Sequence, residues 1–194
     1  MFLPVGKVLR HAASFRFLSD AKSSKSLGMT ELSLNYALQK PSDAAAILKL
    51  EERAFGPGRF AKTAYRLREG IAPDWTLSTL AYIGGMLVGA NTMTHIHIGG
   101  APALLLGPLT VEPAFRSRGL GEALVQKSLD AAKAAGHELV ILVGDPPYYE
   151  RMGFSRTPFG QFNFPGPVDP SRLLHCELQL GALASHKGAV TLTR

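Results

Sequence analysis

Two stretches of the chain carry residues whose types and spacing could do chemistry. The first is Gly107-Pro108-Leu109-Thr110-Val111-Glu112-Pro113-Ala114-Phe115-Arg116-Ser117-Arg118-Gly119-Leu120-Gly121, which runs directly into Glu122-Ala123-Leu124-Val125. An apolar run ends at Val111, Pro113 stops it, and two glycines precede a long helical pattern. The first amides of a helix lack intrahelical partners and sit at the positive end of the peptide dipoles, which suits a phosphate group. Without a Cβ, Gly119 and Gly121 let a ligand approach the backbone closely, and Arg116 and Arg118 add positive charge beside it. The chemistry this favours is an anion cradle for a diphosphate. It is neither a Walker loop nor the dinucleotide fingerprint, because the lysine and the third glycine are missing at the required spacings. By itself Arg-x-x-Gly-x-Gly is equally compatible with a plain glycine-rich turn between strand and helix.

The second stretch is Gly144-Asp145-Pro146-Pro147-Tyr148-Tyr149-Glu150-Arg151-Met152-Gly153-Phe154, directly after a short apolar strand pattern. Other chemistry-bearing residues are scattered. His95 and His97 share one face of an alternating run with Asn91 and Met93, so they are open to a base role, to metal ligation or to plain polar lining. No third ligand is near them in sequence, and no metal is expected. Glu51 and Glu52 close the first helical pattern, either as base candidates or as a solvated helix end. Cys176 reads as a buried cysteine of a late strand rather than a nucleophile. Arg53, Arg59, Lys62, Arg66 and Arg68 gather around the first helical segments, as a solvated face or as selectors of an acidic group. Tyr148, Phe159, Phe162 and Phe164 are read as packing residues.

The elements that must position these groups follow from periodicity. Leu32 to Leu38 alternates as a strand; Pro41-Ser42-Asp43 opens a helix with Ser42 as cap, Ile47, Leu50 and Ala54 as its apolar stripe, and Gly56 as its end. A second short helix is expected around Phe60, Ala64 and Leu67. Runs Trp75–Ile83 and Met86–Ile98 flank the hairpin signal Gly84-Gly85, and Ala103–Val111 follows as a third antiparallel neighbour. Leu120–Ala135 is a helix capped by Gly136, and Glu138–Val143 is a buried strand. A helical turn around Tyr149 and late strands near Phe154–Arg156 and Leu173–Leu180 complete a single α/β (α+β) domain.

Composition bounds the rest. The 194 residues are 46% hydrophobic and 19% charged, enough apolar material for a core and not the composition of a disordered chain. One cysteine cannot form an internal disulfide, and no run approaches the ~20 apolar residues of a membrane span. The net charge of +6 is uneven: residues 1–28 hold five basic residues against Asp20 alone, whereas the remainder is nearly balanced. The excess therefore argues against a nucleic-acid partner for the folded part. Residues 1–28, basic and serine-rich, are read as an extension: a non-native start ahead of Met29, a mitochondrial transit peptide or a short ordered segment. Residues 29–194 are read as the domain carrying the chemistry.

The order strand, Arg116-x-x-Gly119-x-Gly121, helix, strand, then Tyr149-x-x-x-Gly153-Phe154 resembles the GNAT superfamily of acyl-CoA-dependent N-acetyltransferases over residues 31–180. Gly107-Pro108-Leu109 before Val111, Gly144-Asp145-Pro146-Pro147-Tyr148-Tyr149 and Gly181-Ala182-Leu183 resemble its YhbS-like branch. The resemblance implies a mixed, mostly antiparallel central sheet with flanking helices, acetyl-CoA as cosubstrate, an amine-bearing acceptor, and no metal, nucleic acid or membrane partner. It implies backbone pairing of the pantetheine arm near Leu109 and Val111, with a strand amide on the thioester oxygen. It assigns the pyrophosphate to Arg116, Ser117, Arg118, Gly119, Leu120, Gly121 and Glu122, and the protonation of the departing thiolate to Tyr149. Many relatives carry an asparagine where this chain has Gly144-Asp145, so no cofactor contact is carried over to Asp145. The alternative is a catalytically inactive acyl-CoA-binding sensor or interaction module. A cytoplasmic location, mitochondrial if the extension is a transit peptide, and a homodimer as one open option for assembly complete the expectation.

Overall fold

The computed structural model describes residues 33–56, 68 and 70–193. The extension at residues 1–28 and the helix expected around Phe60, Ala64 and Leu67 lie outside them, as do Arg59, Lys62 and Arg66. Strand β1 (Leu34–Leu38) is followed by a single 3-10 turn, Pro41–Asp43, and helix α1 (Ala44–Phe55). The helix start differs from expectation. Asp43 rather than Ser42 organises it, its carboxylate accepting the Lys40 backbone N–H at 2.8 Å. An aspartate here also faces the positive end of the helix. Ile47 and Leu50 bury the expected stripe, and Gly56 terminates the helix at φ 67°.

Strands β2 (Thr79–Ile83), β3 (Met86–Ile98) and β4 (Ala101–Val111) form the antiparallel meander. The strand read from Trp75 begins only at Thr79, because Asp74 closes a turn first: its carboxylate accepts from the Thr76 amide and hydroxyl. Helix α2 (Leu120–Ala134) and strand β5 (Leu139–Val143) come next, then helix α3 (Pro146–Tyr149) with a 3-10 turn over Glu150–Met152. Strands β6 (Ser155–Arg156), β7 (Phe162–Asn163) and β8 (Leu173–Glu177), helix α4 (Ala182–Ser185) and strand β9 (Gly188–Leu192) complete the chain. Neither β7 nor β9 was expected; the alternation of Val190 and Leu192 was the available signal.

The sheet runs β1-β2-β3-β4-β5-β8-β6, with β9 pairing the far end of β3 and β7 pairing β9. Only β4–β5 and β7–β9 are parallel; the remaining pairs are antiparallel. Helix α2 buries Val125 and Leu129 against Met93, Leu104, Leu106, Val140 and Leu142. Helix α1 covers Leu80 and Ala90 with Ile47 and Leu50. This is the mixed, mostly antiparallel sheet with flanking helices that the resemblance implied.

Two features of β4 open a gap in the sheet. Its parallel pairing with β5 covers Leu104↔Val140 and Leu105↔Ile141, so beyond that point the two strands diverge toward Val111 and Gly144. Against β3 the register passes from Met93↔Leu106 to Asn91↔Leu109, three steps on β4 for two on β3. The extra residue is a bulge at Gly107-Pro108, where proline has no amide to lose from the ladder. The pairing of β4 with β5 has thus ended just before the strand bulges against β3.

Candidate active site

A cavity of about 660 Å³ opens where β4 and β5 diverge. Leu109 and Val111 form one wall, and the start of α2 forms its floor. Gly119 is the residue before that helix, in the left-handed region at φ 75°, ψ 0°, and Ser117 shares that region at φ 60°. Among the described residues no side chain caps this end. The first i→i−4 bond runs from the Ala123 amide to the Gly119 carbonyl at 3.0 Å, which leaves the amides of Leu120, Gly121 and Glu122 without intrahelical partners. Three donors and the positive end of a 15-residue helix thus face one cavity.

Of the residues expected here, Leu109, Val111, Arg116, Ser117, Gly119, Leu120, Gly121, Glu122 and Tyr149 all line the cavity. Arg118 is the exception, its guanidinium lying 5.6 Å from the centroid of the Phe115 ring. Arg116 is a clamp as much as a charge: it donates to the Val111 carbonyl at 3.3 Å and to the Ala54 carbonyl at 3.1 Å, tying the loop to the end of α1.

The two adjacent tyrosines have different surroundings. Tyr149 packs against the core, edge-on to Phe154 with centroids 5.8 Å apart, and its ring fills the space above Gly144, where a Cβ would stand only 2.3 Å from it. Burial, reinforced by Tyr148 and opposed by Arg172 and Arg68, pushes its hydroxyl far above the ordinary tyrosine value, so it holds its proton. Tyr148, read as packing alone, instead lines the cavity, its hydroxyl set 2.2 Å from where a Cβ on Gly121 would be. Its pKa is also raised, by burial and by Glu122, which pairs with Arg151 at 3.1 Å.

A second cavity of about 400 Å³ lies on the α1 side of the bulge, lined by Gln39, Ile47, Glu51, Arg68, Trp75 and Pro108 among others. Glu51 is 8% exposed, so the solvated reading fails for it, while Glu52 is exposed as expected. The Arg68 guanidinium lies against Gly107, 3.2 Å from the position of a Cβ there. Beside the bulge, the side-chain polar atoms of Asn91 and the hydroxyl of Thr110 are buried with no hydrogen-bond partner among the described residues. Arg53 pairs with Glu112 at 2.8 Å on the surface.

The histidines are not in either cavity. His95 pairs with Asp74 at 2.7 Å, and His97 hydrogen-bonds Thr193 at 3.1 Å. Cys176 is buried on β8, where burial raises its thiol pKa, consistent with a packing role. Phe162 is buried and Phe164 packs beside it, but Phe159 is 91% exposed and packs against little. Among the described residues no helix is long and apolar enough to cross a membrane.

A family model described as an acetyltransferase (GNAT) domain matches residues 35–157. The uncharacterised N-acetyltransferase YjhQ of Escherichia coli K12 is 30% identical over 143 residues, covering 72% of this chain and 78% of that protein. The crystal structure of Escherichia coli YhbS, a GNAT family N-acetyltransferase in complex with CoA, superposes with a TM-score of 0.72 at 25% identity, covering 87% of this chain and 94% of that one. A GNAT family acetyltransferase from Brucella melitensis in complex with acetyl-CoA gives 0.56 at 29% identity, over 73% and 94% of the two chains.

Proposed function

Since the chain belongs to the GNAT acetyltransferase family, we propose that it transfers an acetyl group from acetyl-CoA to a primary amine by direct attack on the thioester. The observation that carries this reading is the pair of cavities on either side of residues 107–109, one with a free-amide helix start and one with a buried carboxylate. Acetyl-CoA occupies the larger cavity. Its pyrophosphate sits on the amides of Leu120, Gly121 and Glu122, with Arg116, Ser117, Arg118 and Gly119 shaping the turn. Its pantetheine arm pairs with β4 near Leu109 and Val111 as an added strand would, because divergence from β5 leaves that edge open.

The acceptor enters from the smaller cavity. Its neutral nitrogen attacks the thioester carbon while a β4 amide hydrogen-bonds the carbonyl oxygen as negative charge develops. Glu51, buried at the wall of that cavity, takes the amine proton. The C–S bond then breaks, and Tyr149 supplies the proton that makes the departing thiolate a thiol. Burial keeps that hydroxyl protonated, which excludes it as the base and leaves the proton available at the sulfur. Glu51 is favoured over His95 and His97 because both histidines are engaged outside the two cavities.

An acceptor screen with acetyl-CoA tests the reading, scoring free-thiol release over amines, peptides and aminoacyl compounds. Amine-dependent release supports it. Tight CoA binding, with release no faster than hydrolysis across the whole panel, would make the domain a sensor of acyl-CoA instead.

A further inference from the structure

Away from both cavities, three side chains from three separate elements converge. Asp74 precedes β2, His95 lies on β3 and His137 follows α2, and the ligand-capable atoms of all three lie within 4.8 Å of one another. His95 Nε2 is 2.7 Å from Asp74 Oδ2, and the two imidazole rings stand 5.3 Å apart, tilted by 50°. We propose that Asp74, His95 and His137 form a binding site for a divalent transition-metal ion, with zinc the expected occupant and water completing its shell.

The donor set suits the ion: two imidazoles and one carboxylate are a common three-ligand arrangement for zinc and its neighbours in the first transition row. Each ligand is also held before any metal arrives. Asp74 is fixed by its own amide, which donates to the Met93 carbonyl at 2.8 Å. Its Oδ1 is taken by the Thr76 amide at 2.8 Å, the Thr76 hydroxyl at 2.6 Å and the Leu77 amide at 3.2 Å, which turns Oδ2 toward the histidines. Such outer contacts orient ligating carboxylates in metal sites. His137 is anchored by its amide on the Ala132 carbonyl at 3.0 Å, at the end of α2. His95 sits mid-strand, between the β4 pairings at Thr94 and Ile96. All three residues are half-buried, which admits an ion from solvent while limiting competing water.

Binding would cross-link the segment containing Asp74 to the sheet and to the end of α2. That segment also supplies Ile71, Pro73 and Trp75 to the smaller cavity, so the ion would brace one wall of the proposed acceptor site from behind without touching substrate.

The test is calorimetric titration of Zn(II) into the untagged full chain after chelator treatment. One saturable site is expected. His95→Ala and His137→Ala should each weaken it by ~100-fold or more, beyond the ~10–100-fold that loss of an outer-shell partner costs, whereas His97→Ala should leave it unchanged. Co(II) in the parent chain gives a readout independent of the variants' folding: visible d–d bands without thiolate charge transfer. No saturable site in the parent, binding that survives both alanine substitutions, or a thiolate band would overturn the proposal.

Discussion

The two cavities beside β4 are built in opposite ways. The larger takes its essential donors from the backbone of one continuous segment, residues 116–122, at the start of one helix. The smaller is assembled from side chains of β1's end, α1, the segment around Trp75, β3 and the bulge. A backbone site fixes the chemistry of what binds, an anion at a helix start, and tolerates variation in side chains. A side-chain site can be rebuilt one residue at a time. On the proposed reading, the cofactor site is held constant by the backbone while the acceptor site is free to change.

Substitutions can sharpen or break this contrast. The largest effect is expected at Tyr149→Phe, which keeps the ring and removes the proton donor: kcat should fall within the ~10²–10⁴-fold range of general acid–base catalysis, with acetyl-CoA affinity little changed. Tyr148→Phe should matter far less to kcat, and a reversal of the two in steady-state assays would move the acid by one residue. The same variant has a stability signature. Because burial raises the Tyr149 pKa in the folded state, its contribution is intact below the ordinary tyrosine value of ~10 and is lost as pH climbs from there through the folded value. Denaturant titrations above that pH should show a shallower loss for Tyr149→Phe than for the parent.

Next comes Glu51→Gln, with kcat/KM for the acceptor down by ~10²-fold and acetyl-CoA binding unaltered. A matching loss of acetyl-CoA affinity in calorimetry would mean the two cavities are not chemically separate. Gly121→Ala should weaken acetyl-CoA by ~10–100-fold, the worth of one or two hydrogen bonds to a charged group, because the new Cβ forces the Tyr148 hydroxyl to move. With that hydroxyl removed, the nearest atoms would be Leu109 Cδ2 and Tyr148 Cζ, each at 3.5 Å. In a Tyr148→Phe background the same substitution should therefore cost less than ~3-fold, a non-additivity expected only of direct neighbours. Arg118→Ala should have the smallest effect, a reduced salt dependence of binding, since its charge lies outside the cavity. A loss larger than that of Gly121→Ala would make the cradle a side-chain site after all.

The same contrast explains what could be read from the sequence. The meander, α2 and β5 were legible because their periodicity and glycine signals are local, and the uncapped start of α2 because its residues are consecutive. Arg116 looked like a phosphate ligand, but its bond to the Ala54 carbonyl spans 62 residues and has no local signal. Glu51 looked solvated because helical spacing does not reveal what α1 packs against. The His95 partners were hidden for the same reason: Asp74 and His137 are each twenty or more residues away and meet it only through the sheet. Strand β9 was missed because it pairs with β3 across about half the chain, Ile98 with Val190.

Trp75 is the only tryptophan in the chain, and it lines the smaller cavity. Indole emission responds to local polarity, so this chain carries a built-in optical reporter on the side where the acceptor is unknown. Compounds that enter that cavity should shift or quench its fluorescence without turnover, and CoA alone should leave it nearly silent. Ligand discovery can then proceed by titration before any product is identified.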